Sequence, residues 1–488
     1  MSLSDVSRVL AQPVRYRVLA RYLSRIGLVV ILLRLIPILV SGINGEWLFT
    51  IHQLLALAVL SAICLPLSRL RPPEDIKRNE VMVISALSFV LAAALEAIPF
   101  VGTGLSGIDA FFEAVSGVTT TGLSTMTGLQ EHSIGVLFAR SWMQWYGGLG
   151  VVAFSVALLF LDRGIASRRL AMGEINDSRD FLGNARSHSI NLLVIYCVLT
   201  LSAIGVLLIA GASPLSAVTH ALSGVSTGGF SIYDSSLAAI NAWSVQFLMV
   251  LCGVAGAVSL PFYYRLSRTG SKELSCNPEI LALPVISIAI IGLLFLCLDS
   301  NSANVLVRLK IAVIMGLSAQ TTTGFANADV ASLDDTAKLC LIVSMLVGGS
   351  IGSTAGGIKI LRFLIVLRLL QFFIQRTALP AHAVLERELG GDKMESDDIE
   401  RALLLILIFV GTVLCSWLPF LMAGYDPMDA LLEVVSACST TGLSTGITGS
   451  GLEPWLKAVL IADMLLGRVE FIAFLVFLYP RTWIKIRS

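Results

Sequence analysis

The chain contains four near-copies of one short polar string, which read AVSGVTTTGLS (114–124), ALSGVSTGGFS (221–231), GLSAQTTTGFA (316–326) and VVSACSTTGLS (434–444). When they are aligned on a shared glycine, every copy has a serine six residues earlier and a threonine two residues earlier. The aligned glycines are Gly122, Gly229, Gly324 and Gly442. Backbone carbonyl groups that surround an axis in a membrane can replace the water shell of a cation and select it. Four copies of one Thr-Gly loop therefore predict such a ring.

The composition is that of a protein that crosses a membrane many times. Of its 488 residues, 56% are hydrophobic and 14% are charged, whereas about 25% are charged in a typical soluble domain. The mean hydropathy is +0.85, which predicts a helical membrane protein whose main partner is the lipid bilayer. The net charge is only +1, so nucleic acid is not an expected partner.

Ten apolar stretches are each long enough to cross the bilayer. They lie at 26–43, 52–68, 81–100, 141–161, 187–211, 241–263, 277–298, 337–375, 402–424 and 455–479. Lysine and arginine are concentrated in the terminal segments and in every second connection, while the other connections carry only Arg308 and Lys310. Because cytoplasmic segments are the ones enriched in these residues, both termini are predicted to lie in the cytoplasm.

The connections on the opposite side carry acidic residues, among them Asp109, Glu113, Asp234 and Glu433. Carboxylates with little base nearby would concentrate cations at an outer mouth. Ordinary solvated loops are the alternative interpretation of the same residues.

Each polar string lies in a repeated unit. A span precedes it, a span follows it, and directly before it lies an apolar stretch of about ten residues that is too short to cross. These stretches predict re-entrant half-helices, called pore helices below. Ser213-Pro214 and Asp426-Pro427 mark two of their starts as a capping residue followed by proline. Ser106 occupies the cap position in the first copy, whereas the third copy has Arg308 there and is expected to lack a cap.

The predicted fold is an all-α membrane protein with ten transmembrane helices and four re-entrant pore helices. Four pseudo-symmetric helix–pore loop–helix repeats surround one pore, and two extra helices precede them. The predicted units are the N-terminal extension 1–70 and the repeats 71–175, 176–272, 273–390 and 391–488.

The pore helices would direct the negative ends of their dipoles at the membrane centre, where a cation is stabilised. The loop after each helix has to be non-helical and line a cavity, and glycine permits the positive φ that this needs. The predicted K⁺ filter is Thr119, Thr120, Thr121, Gly122, Ser226, Thr227, Gly228, Gly229, Thr321, Thr322, Thr323, Gly324, Ser439, Thr440, Thr441 and Gly442. Small residues that only pack spans together are the alternative, and four copies in one register disfavour it.

The second span of the third repeat is too long for one crossing. A helix over 337–375 would measure about 58 Å, against about 30 Å of hydrocarbon. The surplus coincides with GGSIGSTAGG (348–357), where the glycines disfavour helix. An unwound loop at membrane depth is therefore predicted. A nucleotide-binding P-loop is excluded, because Ile358 rather than glycine precedes Lys359.

Charged residues lie at depth in the last span: Asp463, Arg468 and Glu470. Arginine at the bilayer centre costs roughly 2.5–3.5 kcal/mol, so it should face a polar cavity or a partner. We expect Arg468 to face the pore below the ring and to limit how long an ion stays there. An ion pair with Glu470 or Asp463 is the alternative. Arg140 and Gln144 in the first repeat pose the same question.

The four strings together with RSWMQWYGGLG (140–150), GGSIGSTAGGIK (348–359) and GRVEF (467–471) resemble the Trk/Ktr/HKT superfamily of potassium transporters, most closely its bacterial TrkH/TrkG branch. The resemblance spans the whole chain. It implies a protein of the bacterial inner membrane that is not an enzyme and has no catalytic residues. Four filter glycines imply a preference for K⁺ as the transported ion, with no organic cofactor on this chain.

The resemblance also implies a gate and two kinds of protein partner. The gating residues would be Gly348, Gly349, Ser350, Gly352, Ser353, Thr354, Gly356, Gly357 and Arg468. The chain would form a homodimer and bind a cytoplasmic, TrkA-like regulatory subunit with nucleotide-binding Rossmann-type domains. Gly228 departs from the other copies, which have threonine there, so the second turn lacks a hydroxyl and a stiff residue.

Two other functions stay open from the sequence. A sodium- or proton-coupled cation symporter is not excluded, because coupling leaves no short motif. An intramembrane enzyme would need clustered histidine, carboxylate or cysteine groups. The five histidines lie far apart at 52, 132, 188, 220 and 382, and neither HExxH nor GxSxG occurs.

Overall fold

The computed structural model describes residues 13–71, 76–160, 181–270, 273–274, 277–298, 304–378, 380, 387–469 and 471–483. In the described chain, the helices are α1 (Tyr16–Ile43), α2 (Trp47–Ser68), α3 (Arg78–Val101), α4 (Gly107–Val118), α5 (Ile134–Phe160), α6 (Phe181–Ile209), α7 (Pro214–Val225), α8 (Trp243–Ala257), α9 (Leu260–Thr269), α10 (Pro278–Cys297), α11 (Val305–Gln320), α12 (Asp335–Leu346), α13 (Ile360–Thr377), α14 (Ser396–Met422), α15 (Pro427–Cys438), α16 (Pro454–Arg468) and α17 (Phe471–Leu478). A short antiparallel hairpin, β1 (Glu388–Leu389) and β2 (Asp392–Lys393), lies between α13 and α14.

The order of the elements is the predicted one. Helices α1 and α2 precede four units, each made of a long helix, a short pore helix and a second span. The pore helices are α4, α7, α11 and α15. Of the predicted repeat boundaries, those near 175 and 272 lie outside the described residues, and the one at 390 falls in the β1–β2 turn.

Three pore helices begin at the caps that the sequence predicts. Ser106, Ser213 and Asp426 each accept a hydrogen bond from a backbone N–H in the first turn. The expectation that the third pore helix lacks a cap is wrong. Asn304 caps α11 by accepting from Leu306 N–H, and α11 has 16 residues where the other pore helices have 12. The extra turn moves the cap out of register, so an alignment on the glycines misses it.

Six of the described helices are long and apolar enough to span a membrane alone: α1, α2, α3, α6, α10 and α14. The pair α8 and α9 passes the same test together but is bent by 83°. Pro261 lies in the first turn of α9, where proline is accommodated, and a helix running on from α8 would lose a backbone bond at this residue. The interruption predicted within 337–375 is confirmed, since α12 ends at Leu346 and α13 begins at Ile360.

Polar residues are buried around the ends of the pore helices, and many large apolar residues face outward on the outer helices. The threonines and serines at 119–121, 226–227, 321–323 and 439–441, at the ends of the pore helices, are fully buried. Side chains such as Ile209, Leu296 and Leu407 are 70–89% exposed on the outer helices. This inverted distribution fits an apolar periphery in contact with lipid. The N-terminal helices are fixed to the first repeat by the buried ion pair of Arg34 Nε and Glu96 Oε1 at 2.9 Å.

Candidate functional site

Every pore helix ends in the same turn. In the first repeat, Thr120 N–H donates to the Gly117 carbonyl at 3.0 Å and Thr121 N–H donates to the Ser116 carbonyl at 2.9 Å. This pair of bonds is a Schellman motif, and it recurs at the ends of α7, α11 and α15. The motif reverses the chain directly after the helix and brings the next residues to the helix end.

The residue at the centre of each turn is a threonine with a left-handed backbone. The φ angles are +53° at Thr120, +52° at Thr227, +53° at Thr322 and +51° at Thr440. Glycine usually takes this place, and a β-branched residue there is strained. Such strain persists only where the surroundings fix the conformation, and it concentrates at functional sites.

The four glycines close the turns into a ring. A Cβ added at Gly122 would lie 2.3 Å from the Gly228 carbonyl oxygen, and one at Gly229 would lie 1.9 Å from that of Thr323. A Cβ at Gly324 would lie 1.8 Å from the Thr441 oxygen, and one at Gly442 would lie 2.3 Å from that of Thr121. Each turn thus packs on the next, in the order one, two, three, four and back to one. We call residues 119–122, 226–229, 321–324 and 439–442 the Thr-Gly ring.

The serine six residues before each glycine has a role in two copies. Ser116 Oγ accepts from Gly122 N–H at 3.0 Å, and Ser436 Oγ accepts from Gly442 N–H at 2.9 Å. In the second copy, Ser223 instead donates to the Thr219 carbonyl within its own helix. The shared serine therefore ties the first and fourth glycines to their pore helices.

Three of the acids expected at an outer mouth, Asp109, Glu113 and Glu433, are buried, so that expectation is wrong for these three. Glu113 accepts from Ser124 on the far side of the ring and pairs with Arg140 Nε at 2.6 Å. Glu433 is likewise fully buried and accepts from Ser444 and Thr448. These contacts join a pore helix to the segment that leaves the ring. They also bear on the question posed by Arg140, which has Glu113 as its ion-pair partner and also lines the cavity at the ring.

Two more ion pairs join neighbouring repeats at equivalent places. Lys457 Nζ lies 2.5 Å from Asp109 Oδ1, and Lys338 Nζ lies 2.6 Å from Asp429 Oδ1. In each pair a lysine on the second span of one repeat reaches the first turn of the next pore helix. The acid at this position was visible in the sequence, but its lysine partner is distant in the chain.

A cavity of about 510 Å³ adjoins the ring on the side of the segments that follow the ring glycines. Its lining includes all four ring glycines together with Asp234 and Asp329. Part of the lining next to the ring is therefore acidic.

The unwound loop packs against the residues of the ring that precede its glycines. Gly356 N–H donates to Thr322 Oγ1 at 2.8 Å, and a Cβ at Gly356 would lie 2.1 Å from the Ser439 carbonyl oxygen. Thr354 Oγ1 donates to the carbonyls of Gly256 at 2.9 Å and Val225 at 3.0 Å. Thr227 Oγ1 donates to Thr354 Oγ1 at 3.3 Å, so the loop touches the second, third and fourth turns of the ring.

The remaining loop residues hold its shape. Gly348 N–H donates to the Ile358 carbonyl and closes the base, while Ser350 N–H donates to the Ala257 carbonyl at the break between α8 and α9. Ser353 Oγ donates to the Ser350 carbonyl. Gly352 and Gly357 have φ angles of +75° and +65°, and Gly349 has no space for a side chain because a Cβ there would lie 2.7 Å from the Ala257 oxygen.

Arg468 is buried beneath the ring and contacts the loop. Its Nη1 donates to the Thr354 carbonyl at 2.5 Å. The alternative of an ion pair with Asp463 is wrong, because in the described chain Asp463 accepts from Ser416 instead. Glu470, the other partner considered, lies outside the described residues.

The TrkH family of cation transport proteins matches residues 75–282 and 276–482. The chain belongs to this family. The Trk system potassium uptake protein TrkI of Halomonas elongata is 30% identical over 99% of this chain and 100% of its own length. TrkH of Escherichia coli K12 is 27% identical over 94% of this chain and 98% of its own length.

A solved structure has the same fold. The crystal structure of the potassium transporter TrkH from Vibrio parahaemolyticus matches with a TM-score of 0.85 at 24% identity, covering 96% of this chain and 100% of that chain. The predicted superfamily and fold class are confirmed. The protein is a multi-pass membrane protein of a cation transport family, which weighs against an intramembrane enzyme.

The ring geometry predicts the effect of a side chain at its glycines. Gly122→Ser would place Cβ against the Gly228 carbonyl at a φ of +95°, so we expect sodium to enter or flux to be lost. The measurement is rubidium and sodium flux into liposomes that contain the purified variant. Gly104→Ser is the matched control, because its φ is +93°, nothing lies within 4 Å of its added Cβ, and it lies outside the cavity at the ring. Wild-type flux and selectivity in Gly122→Ser would contradict the placement of this glycine in the ion path.

Proposed function

We propose that the protein takes up K⁺ across the bacterial inner membrane through the Thr-Gly ring, which acts as its selectivity filter. The closed cycle of glycine–carbonyl contacts carries this proposal, because it surrounds one axis with main-chain oxygens. The four pore helices end at the ring, so the negative ends of their dipoles favour a cation there. The relatives from Halomonas elongata and Escherichia coli are described as potassium uptake proteins, which supports K⁺ as the ion.

The proposed gate is the loop 348–357 with Arg468. Its contacts with Thr322, Gly256 and Val225 lie where an ion leaving the ring would pass. Conduction would require these hydrogen bonds to break, and Arg468 would stabilise the closed loop through the Thr354 carbonyl.

The proposed control of this gate comes from the cytoplasm. The loop is followed by α13, which begins at Ile360, and residues 373–378 at the far end of that helix are exposed. We propose that a TrkA-like, nucleotide-binding regulatory subunit displaces α13 and thereby moves the loop. We further propose that the protein is a homodimer with both termini in the cytoplasm, in agreement with the distribution of lysine and arginine.

A sodium- or proton-coupled symporter is the second candidate. Asp463 and Glu433 are buried carboxylates at membrane depth, and among the described residues neither forms an ion pair. Buried acids of this kind occur in proton relays. The symport and the channel differ in whether an opposing proton or sodium gradient changes K⁺ accumulation.

Uptake is tested with the full-length protein in liposomes loaded with K⁺. Rubidium should enter in response to the membrane potential and should be displaced by K⁺ far better than by Na⁺. The same protein should restore growth of a potassium-uptake-deficient bacterium on low K⁺, more strongly when a regulatory subunit is present. Purified, folded protein that passes no rubidium with the subunit bound would refute the proposal. Accumulation that follows a pH or sodium gradient would favour symport.

The gate is tested by Thr354→Val, which keeps the shape of the side chain and removes its hydrogen bonds. The one hydroxyl hydrogen is shared between two carbonyls, and its loss weakens the closed loop by roughly 1.4 kcal/mol, so basal rubidium flux should rise about tenfold with unchanged K⁺ over Na⁺ preference. Thr412→Val is the control, because among the residues that the structure describes this hydroxyl binds only the Ile408 carbonyl of its own helix. Lower flux from a folded Thr354→Val protein would show that the loop supports the open path.

A further inference from the structure

The second turn of the ring lacks a contact that the other three turns share. Thr121, Thr323 and Thr441 directly precede the ring glycines, and their hydroxyls bind the hydroxyl of the residue that caps the pore helix. The oxygen–oxygen distances are 2.8 Å to Thr119, 2.8 Å to Thr321 and 2.7 Å to Ser439. Gly228 stands at this position in the second turn, so no such bond exists there.

Gln144, on the second span of the first repeat, fills the space that a threonine side chain at position 228 would take. Its side chain is fully buried. Its Nε2 donates to the Gly228 carbonyl at 2.6 Å, and its Oε1 accepts from Phe230 N–H at 3.1 Å. A Cβ added at Gly228 would lie 2.4 Å from Gln144 Cδ. The side-chain amide therefore forms hydrogen bonds with the peptide groups on both sides of Gly229. It also leaves no space for a threonine side chain at position 228.

The contact between the second span of the second repeat and the third turn of the ring has the small and large residues exchanged. Gly253, on α8, faces Thr323, and a Cβ added at Gly253 would lie 2.2 Å from Thr323 Oγ1. Gln144 and Gly253 occupy equivalent positions on their helices, because both lie at the same distance in sequence from a glycine that packs on the end of a pore helix. Gly147 and Gly256 lie three residues after Gln144 and Gly253, and an added Cβ on them would lie 2.1 Å and 2.2 Å from the last carbonyls of α4 and α7. At the first contact the large residue is on the helix, where Gln144 faces Gly228. At the second it is in the ring, where Thr323 faces Gly253.

We propose that Gln144 is a positioning residue of the filter, which replaces the missing threonine and sets the ion preference of the second turn. This inference rests on the proposed transport function. The two hydrogen bonds fix the direction of the Gly228 carbonyl. Donation by Nε2 also weakens the field of that oxygen, and a weaker field favours the larger, more easily dehydrated K⁺ over Na⁺.

The test compares rubidium and sodium flux through full-length variants in liposomes. Gln144→Leu keeps the size and removes both bonds, so the K⁺ over Na⁺ preference should fall about tenfold, the effect of about one lost hydrogen bond to a buried group. Gly228→Thr alone should lose flux because of the clash. The double variant Gln144→Gly/Gly228→Thr copies the arrangement of Gly253 and Thr323 and should recover most of the wild-type preference.

Gln246→Leu is the matched control. This buried amide on α8 also donates to two carbonyls, Leu237 at 3.0 Å and Ile240 at 2.6 Å, but both lie outside the ring. Its loss should leave ion preference unchanged. The temperature of unfolding in KCl and in NaCl gives a second readout, since K⁺ should stabilise the wild type and the double variant more than Gln144→Leu.

The outcomes separate this inference from the function on which it rests. Wild-type protein that passes no rubidium would remove the transport function and the inference with it. If the wild type conducts, unchanged preference in Gln144→Leu overturns the role of Gln144. If Gln144→Leu does not fold, the double variant decides, because failure to recover preference in that variant also overturns it.

Discussion

The left-handed threonine at the end of each pore helix is the constraint on which the site depends. A helix that simply ran on would carry its carbonyls along its own axis, where none of them could face a shared centre. The positive φ at Thr120 and its three equivalents reverses the chain within one residue. Because a β-branched residue in this region costs roughly 1 to 3 kcal/mol, the conformation has to be maintained by the surrounding protein.

The second spans provide that support at close range. A Cβ added at Gly147, Gly256 or Gly467 would lie about 2 Å from the carbonyl that ends the adjacent pore helix. Helices approach this closely only where they lack side chains. The ring also closes on itself, with the fourth turn against the first, so residues more than 300 positions apart in the sequence must meet before any turn is fully supported. The site is therefore a property of the whole chain, and the lysine–aspartate pairs between repeats contribute to its closure.

Local signals explain what the sequence could predict. Register-matched glycines, capping serine and aspartate, and a span too long for one crossing identified the ring, three of the helix starts and the broken third repeat. The rest depended on partners far apart in the chain. The pairing of Glu113 with Arg140, the contact of Arg468 with Thr354 and the place of Gln144 at Gly228 join separate elements. The cap at Asn304 was missed because one added helical turn breaks the shared register.

The position of a bound ion tests the central claim most directly. Crystals of the protein grown in rubidium or thallium salts would give anomalous density at the site of a K⁺ substitute. The account predicts a peak on the common axis, within reach of carbonyl oxygens from all four turns, which disappears when Na⁺ replaces the heavier ion. Density beside a single turn and away from that axis, or an empty ring at saturating rubidium, would contradict it.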